Sequence, residues 1–155
     1  MPNENTAETF TVSYGKMQCT TKMRPEFLST DLAIYTLIPD NFDVQFSMNK
    51  GVDDAQRSIT FSFDPNLTSG TYLLDNSGLF YSAAYEESGR LDRQPRANHY
   101  KATAGSITIT VTNEGTDRHY DITDFTITAT STLTGITRVL KGQFDFVREA
   151  AAVIS

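Results

Sequence analysis

Two groups of residues in this 155-residue chain have types and spacings suited to chemistry. Arg90, Arg93, Arg96, His99 and Lys101 fall in one short stretch, with only Asp92 opposing them. Guanidinium groups make bidentate contacts with carboxylates and phosphates, so the stretch reads as a site for an anion or an acidic partner. The plainer account is a solvated loop whose cations balance Glu86 and Glu87, because exposure is the usual state of these residue types. Asp117, His119 and Asp121 form the second group, with Asp124 close behind. Strand alternation puts the first three on one face, where carboxylate and imidazole ligands suit a divalent metal. No Asp-x-Asp-x-Asp-Gly loop and no paired Cys or His motif frames them, and Asp is also a common turn former.

Nucleophilic catalysis finds little footing. The chain has no Gly-x-Ser-x-Gly elbow and no phosphate-cradling glycine loop. Cys19 with His99 or His119 would make a thiol dyad, but a lone Cys between Gln18 and Thr20 reads more simply as an inert strand residue. Trp is absent, which removes the usual flat platform for sugars. No cofactor motif is present, and the expectation is a non-catalytic protein without a cofactor.

The formal net charge is −6 and the pI about 4.8, so the surface as a whole repels a phosphate backbone and nucleic acid is not an expected partner. One cysteine excludes an internal disulfide. Met1 to Glu8 is polar and lacks the charged and apolar regions of a signal peptide, which makes the cytoplasm the default expectation, with the envelope or a secreted state if a leader has been removed. The longest apolar runs fall far short of a membrane span.

The elements that must position these residues are strands. From Gly105 to Phe146 three runs alternate apolar and small polar residues: Ser106–Thr112, Ile122–Thr130 and Ile136–Phe146. Period-two alternation with β-branched residues marks half-buried strands, and short links between them predict an antiparallel meander. Thr108, Thr110 and Thr112 are expected to lie beside Thr126, Thr128 and Thr130 on a solvent face. In the first half, Thr9–Met17 reads as a strand with Phe10, Val12 and Tyr14 on one side. Cys19–Phe27 reads as a loop or edge because of Pro25. Asp31–Ile38 fits a strand or a short helix, ended by a Pro39-Asp40-Asn41 turn. Phe42, Val44, Phe46 and Met48 make the cleanest amphipathic strand, followed by Arg57–Phe63. Thr71–Leu74 and Leu79–Tyr85, split by Asp75-Asn76-Ser77-Gly78, resemble a hairpin.

Residues 1–8 are expected to be a flexible tail, 9–148 a single β domain with an exposed loop at 86–98, and 149–155 a C-terminal tail, with Val147–Ser155 suited to a frayed helix. The fold class is therefore all-β: an antiparallel sandwich or small barrel of about eight to ten strands without a long helix. Phe42, Phe46, Phe61, Phe63, Phe125, Phe144 and Phe146 would fill its interior.

Gly70-Thr71-Tyr72, a Tyr shortly before Gly105-Ser106-Ile107-Thr108-Ile109, and Gly142-Gln143-Phe144 together resemble small bacterial β-domains, some of them lipocalin-like, found on envelope lipoproteins. Such domains usually carry a Gly before the Phe of the middle strand, where this chain has Asp124 before Phe125. The resemblance implies an architecture and no activity. Three functions are weighed from the sequence. The first is a binding domain that recognises a protein partner through its loops. The second is a lipocalin-like barrel holding a small apolar ligand. The third is a hydrolase with an unrecognised site. Thr-rich edges also allow a homodimer by strand addition.

Overall fold

The computed structural model describes residues 13–22, 24, 26–37, 41–49, 56–75, 78–88 and 98–149. These form ten strands: β1 (Ser13–Thr21), β2 (Phe27–Ser29), β3 (Asp31–Leu37), β4 (Asn41–Asn49), β5 (Gln56–Phe63), β6 (Gly70–Leu73), β7 (Phe80–Ser88), β8 (Asn98–Glu114), β9 (Asp117–Ser131) and β10 (Thr137–Glu149). They join in one antiparallel sheet in the order β2-β1-β10-β9-β8-β7-β5-β4-β3, with β6 added to β8. The sheet curls until its two ends nearly meet, so the molecule is an almost closed barrel rather than a two-sheet sandwich. At the seam the Ser29 hydroxyl donates to the Ser47 carbonyl, and the Leu28 N–H points at the Met48 sulfur. Among the described residues there is no helix, and none long and apolar enough to cross a membrane.

The interior follows from alternation. Phe42, Val44 and Phe46 of β4 and Ile59, Phe61 and Phe63 of β5 are buried, as are Ile122, Phe125, Ile127 and Ala129 of β9 and Leu140, Phe144 and Phe146 of β10. The rings pack on one another. Phe61 lies 4.6 Å from Phe144 and 5.1 Å from Phe125, and Tyr120 stacks on Phe146 at 4.7 Å, measured between ring centroids. All seven phenylalanines expected inside are there. Bulges between Gly142 and Phe144 and between Ala102 and Ala104 bend the long strands and help the sheet curl. The β8–β9 hairpin turns at Gly115, whose φ of 64° is the left-handed geometry that tight hairpins need.

The C-terminal meander forms as expected, with strands longer than the alternating runs suggested. Several local expectations are corrected. Thr71–Leu74 does not pair with Leu79–Tyr85. The chain turns at Asp75, where Gly78 N–H reaches the Asp75 carbonyl, but β6 joins β8 and β7 joins β5. Pairing with β5 sets Phe80 against Phe61 and Phe63, at 6.0 and 5.5 Å, and that burial outweighs the local hairpin signal. Asp31–Leu37 is strand, not helix. Tyr14 is 61% exposed, because the inward row of β1 is that of Met17 and Cys19. Phe10 and Val12 lie outside the described residues. Ile136 precedes β10 and is exposed. The threonine rows share the outer face but are staggered: Thr108 lies opposite Asp124, Thr110 opposite Asp121 and Thr126 opposite Ser106. Residues 150–155, where a frayed helix was expected, lie outside the described residues, while Val147–Glu149 continue β10.

Candidate binding site at the β7–β8 stem

The two ends of the arginine-bearing stretch are strand. β7 runs to Ser88 and β8 begins at Asn98, with Glu87 opposite Asn98, Glu86 opposite His99 and Ala84 opposite Lys101. Residues 86–88 and Asn98, expected in an exposed loop over 86–98, are strand instead, and residues 89–97 lie outside the described residues. Arg90, Arg93 and Arg96 lie outside the described residues. His99 and Lys101 sit on the outward face of the stem. His99 Nδ1 meets Glu86 Oε2 at 2.8 Å in a half-exposed pair, and Lys101 is exposed. A solvated pair of this kind contributes little to stability.

Glu87 differs from its sequence-based reading as a solvated counter-charge: its side chain is 2% exposed. The alternation that buries Ala83 and Tyr85 places Glu87 on the same inward row. Arg24 grips its carboxylate through two hydrogen bonds, Nε to Oε2 at 2.8 Å and Nη2 to Oε1 at 3.1 Å. The Tyr85 hydroxyl donates to Oε2 at 2.5 Å, and Arg57 Nε donates to that hydroxyl at 2.9 Å. Arg138 stands 3.9 Å away and donates to the Tyr100 hydroxyl. Arg57 also lies over the Phe27 and Tyr85 rings, and Arg138 over Tyr100. Beside them Ser131 donates to the Asn98 side chain at 2.6 Å. Burial works to raise the Glu87 pKa, but the hydrogen bonds from Arg24 and Tyr85 and the charges of Arg24 and Arg138 outweigh it, and the net shift is downward. Glu87 is held as the carboxylate. For Tyr85 burial dominates and the phenol is pushed up, so it stays a neutral donor.

This network was missed in the sequence, yet a signal existed. Arg57 continues the inward parity of Ile59, Phe61 and Phe63, Glu87 that of Tyr85, and Arg138 that of Leu140. Charges on an inward row of neighbouring strands are expected to find one another, because an unpaired buried charge is costly. The network holds β7 through Glu87 and Tyr85 and reaches β8 at Tyr100 through Arg138, while Asn98 at the start of β8 is held separately by Ser131.

The second sequence group is dispersed along the outer face of β9. His119 Nε2 meets Asp145 Oδ2 of β10 at 3.2 Å, a partner that the sequence did not suggest. Asp121 lies opposite Asp145 and Thr110, Asp117 opposite Glu149 and Glu114, and Asp124 opposite Thr108. Among the described residues no three His, Cys, Asp or Glu side chains converge to hold a metal ion. Cys19 is 1% exposed, and burial pushes its thiol up to about 12 against the opposing influence of Arg57. It approaches neither His99 nor His119 in any hydrogen bond; its thiol donates to the Thr20 carbonyl.

Two grooves mark the outer surface. One, of about 410 Å³, runs across β3, β4, β5 and β7 along Asp31, Ser47, Ser58 and Glu86, and ends beside His99. The other, of about 600 Å³, crosses β2, β1, β10 and β9 at Leu28, Gln18, Gln143 and Asp121. No protein-family model, curated protein or solved structure matches the chain.

Proposed function

We propose that this protein is a non-catalytic binding domain that recognises an acidic protein partner through the β7–β8 connection, with Arg90, Arg93 and Arg96 making the main contacts and His99 and Lys101 extending them along the stem. The observation that carries the reading is the buried network around Glu87. With the Ser131–Asn98 bond beside it, it fixes the two ends of a segment, residues 89–97, that holds three arginines against one aspartate in a chain of net charge −6. Binding residues are commonly carried on loops held by a rigid scaffold. A fixed stem lowers the ordering cost of binding. Arginine suits carboxylate recognition by its planar, bidentate geometry.

The apolar-ligand reading is set aside because the barrel interior is occupied by mutually packed rings. The hydrolase reading lacks a nucleophile and base in contact among the described residues.

Affinity capture from the source cell, followed by direct titration of the captured protein, tests the proposal. Replacing Arg90, Arg93 and Arg96 together by alanine should leave unfolding unchanged and weaken binding at least about tenfold, on the scale of one or two lost charge-assisted contacts. Lysine at the same positions should restore part of it. Equal affinity for the triple alanine variant rules the proposal out.

A further inference from the structure

The β9–β10 turn, residues 132–136, closes at the same end of the barrel as the β7–β8 connection. It is tied to the stem directly. Thr132 N–H donates to the His99 carbonyl at 3.0 Å, and the buried Ser131 hydroxyl donates to Asn98 Oδ1 at 2.6 Å. The turn is fixed in itself as well. Leu133 and Thr134 N–H both donate to Ser131 Oγ, Gly135 N–H to the Ser131 carbonyl and Ile136 N–H to Thr134 Oγ1, so every N–H from Thr132 to Ile136 has an acceptor. Gly135 supplies the left-handed φ of 77°. None of these bonds uses the side chain of Leu133 or Ile136. Both are left in solvent, 51% and 49% exposed. Isolated exposed apolar residues are ordinary. Here two share one rigid turn, and basic residues flank it. His99 and exposed Lys101 stand on the β8 side, and exposed Lys22 on the β1 side, where Arg138 Nη1 donates to the Lys22 carbonyl at 3.4 Å.

We propose, on the reading of the β7–β8 connection as the binding site, that Leu133 and Ile136 are its apolar anchor, and that the partner presents an acidic segment with a large apolar side chain among its carboxylates. Charge steers a partner and speeds encounter, whereas a specific interface also needs an apolar centre inside its polar rim. The flanks of the turn are basic, so the complementary segment is acidic, and the turn gives that segment an apolar surface to cover. Because the turn is already ordered, covering it costs little conformational entropy.

Selection of phage-displayed random short peptides on the immobilised full chain tests this, with the recovered peptides synthesised and titrated by fluorescence anisotropy. Peptides that bind the wild type and need Arg90, Arg93 and Arg96 should each combine Asp or Glu with a large apolar residue. The double variant Leu133→Ser with Ile136→Ser should bind them about tenfold more weakly, by the same factor at low and high salt, since what it loses is apolar contact. The triple alanine variant of the arginines should lose most at low salt. Leu133 and Ile136 are exposed, so urea denaturation of the serine variant should match that of the wild type. Acidic peptides that need the arginines yet bind the serine variant at wild-type affinity overturn the anchor alone. A selection that yields no peptide needing the arginines overturns the proposed function together with the anchor. Recovery of the full chain on vesicles of anionic phospholipid, lost in the serine variant, would make the turn a membrane anchor and overturns the proposal too.

Discussion

Replacing Glu87 by glutamine keeps the side-chain shape and removes its charge. In the wild type that charge receives two hydrogen bonds from Arg24 and one from Tyr85, with Arg138 3.9 Å away. The Arg24 and Arg138 side chains are only 10% and 12% exposed, so neither can turn fully to water when the carboxylate goes. Removing one partner of a buried ion pair costs about 3–5 kcal/mol, and a retained amide oxygen places Glu87→Gln near the lower end, about 3 kcal/mol. For a domain of this size that lowers Tm by roughly 6–12 °C. The effect has a definite pH signature. The folded pKa of Glu87 lies below its ordinary value of 4.5. The carboxylate therefore contributes fully above that ordinary value, and the contribution fades as pH falls through the lowered folded value. Urea denaturation of wild type and variant should show a wide gap at neutral pH that closes in acid. A gap under about 1 kcal/mol at neutral pH, or one that persists unchanged into acid, would refute the reasoning that Glu87 is a buried, ionised anchor.

Two further outcomes follow from the interior. Cys19, buried and with its thiol held up near 12, should resist alkylation in the native protein and react at once in denaturant, so its labelling rate at neutral pH should track global unfolding; fast native labelling would mean that the β1–β10 wall opens on its own. Among the described residues the fully buried Tyr120 hydroxyl has no hydrogen-bond partner, so Tyr120→Phe should be neutral or stabilising by up to about 1 kcal/mol in thermal denaturation, and a clear loss would indicate a bond at that oxygen.

Much of the fold was legible because burial here obeys alternation. Phe42, Val44 and Phe46, and the Phe125–Ala129 row, identify inward faces without any partner being known. What alternation does not encode is which strand lies beside which. Thr71–Leu74 had a strong local turn after it, yet the pairing of β6 was decided by β8, far along the chain, and that of β7 by aromatic burial against β5. Asp31–Leu37 was ambiguous because the short apolar run after Asp31 fits either period until a neighbouring strand supplies the ladder. The arginine cluster was visible by composition, whereas its anchor was not. Glu87 beside a polar stretch looks solvated until Arg24, Arg57 and Arg138, from three distant segments, are brought around it. His119 and Asp121 were rightly placed on one strand, but their neighbour Asp145 comes from another, and no spacing rule links them.

Amide hydrogen exchange, recorded for the protein alone and in complex with its captured partner, tests the central claim most directly. The account predicts that the stem residues Tyr85–Ser88 and Asn98–Lys101 are already slow in the free protein, and that binding adds protection across residues 86–101. Protection that appears elsewhere on the barrel while residues 86–101 exchange as before would contradict it.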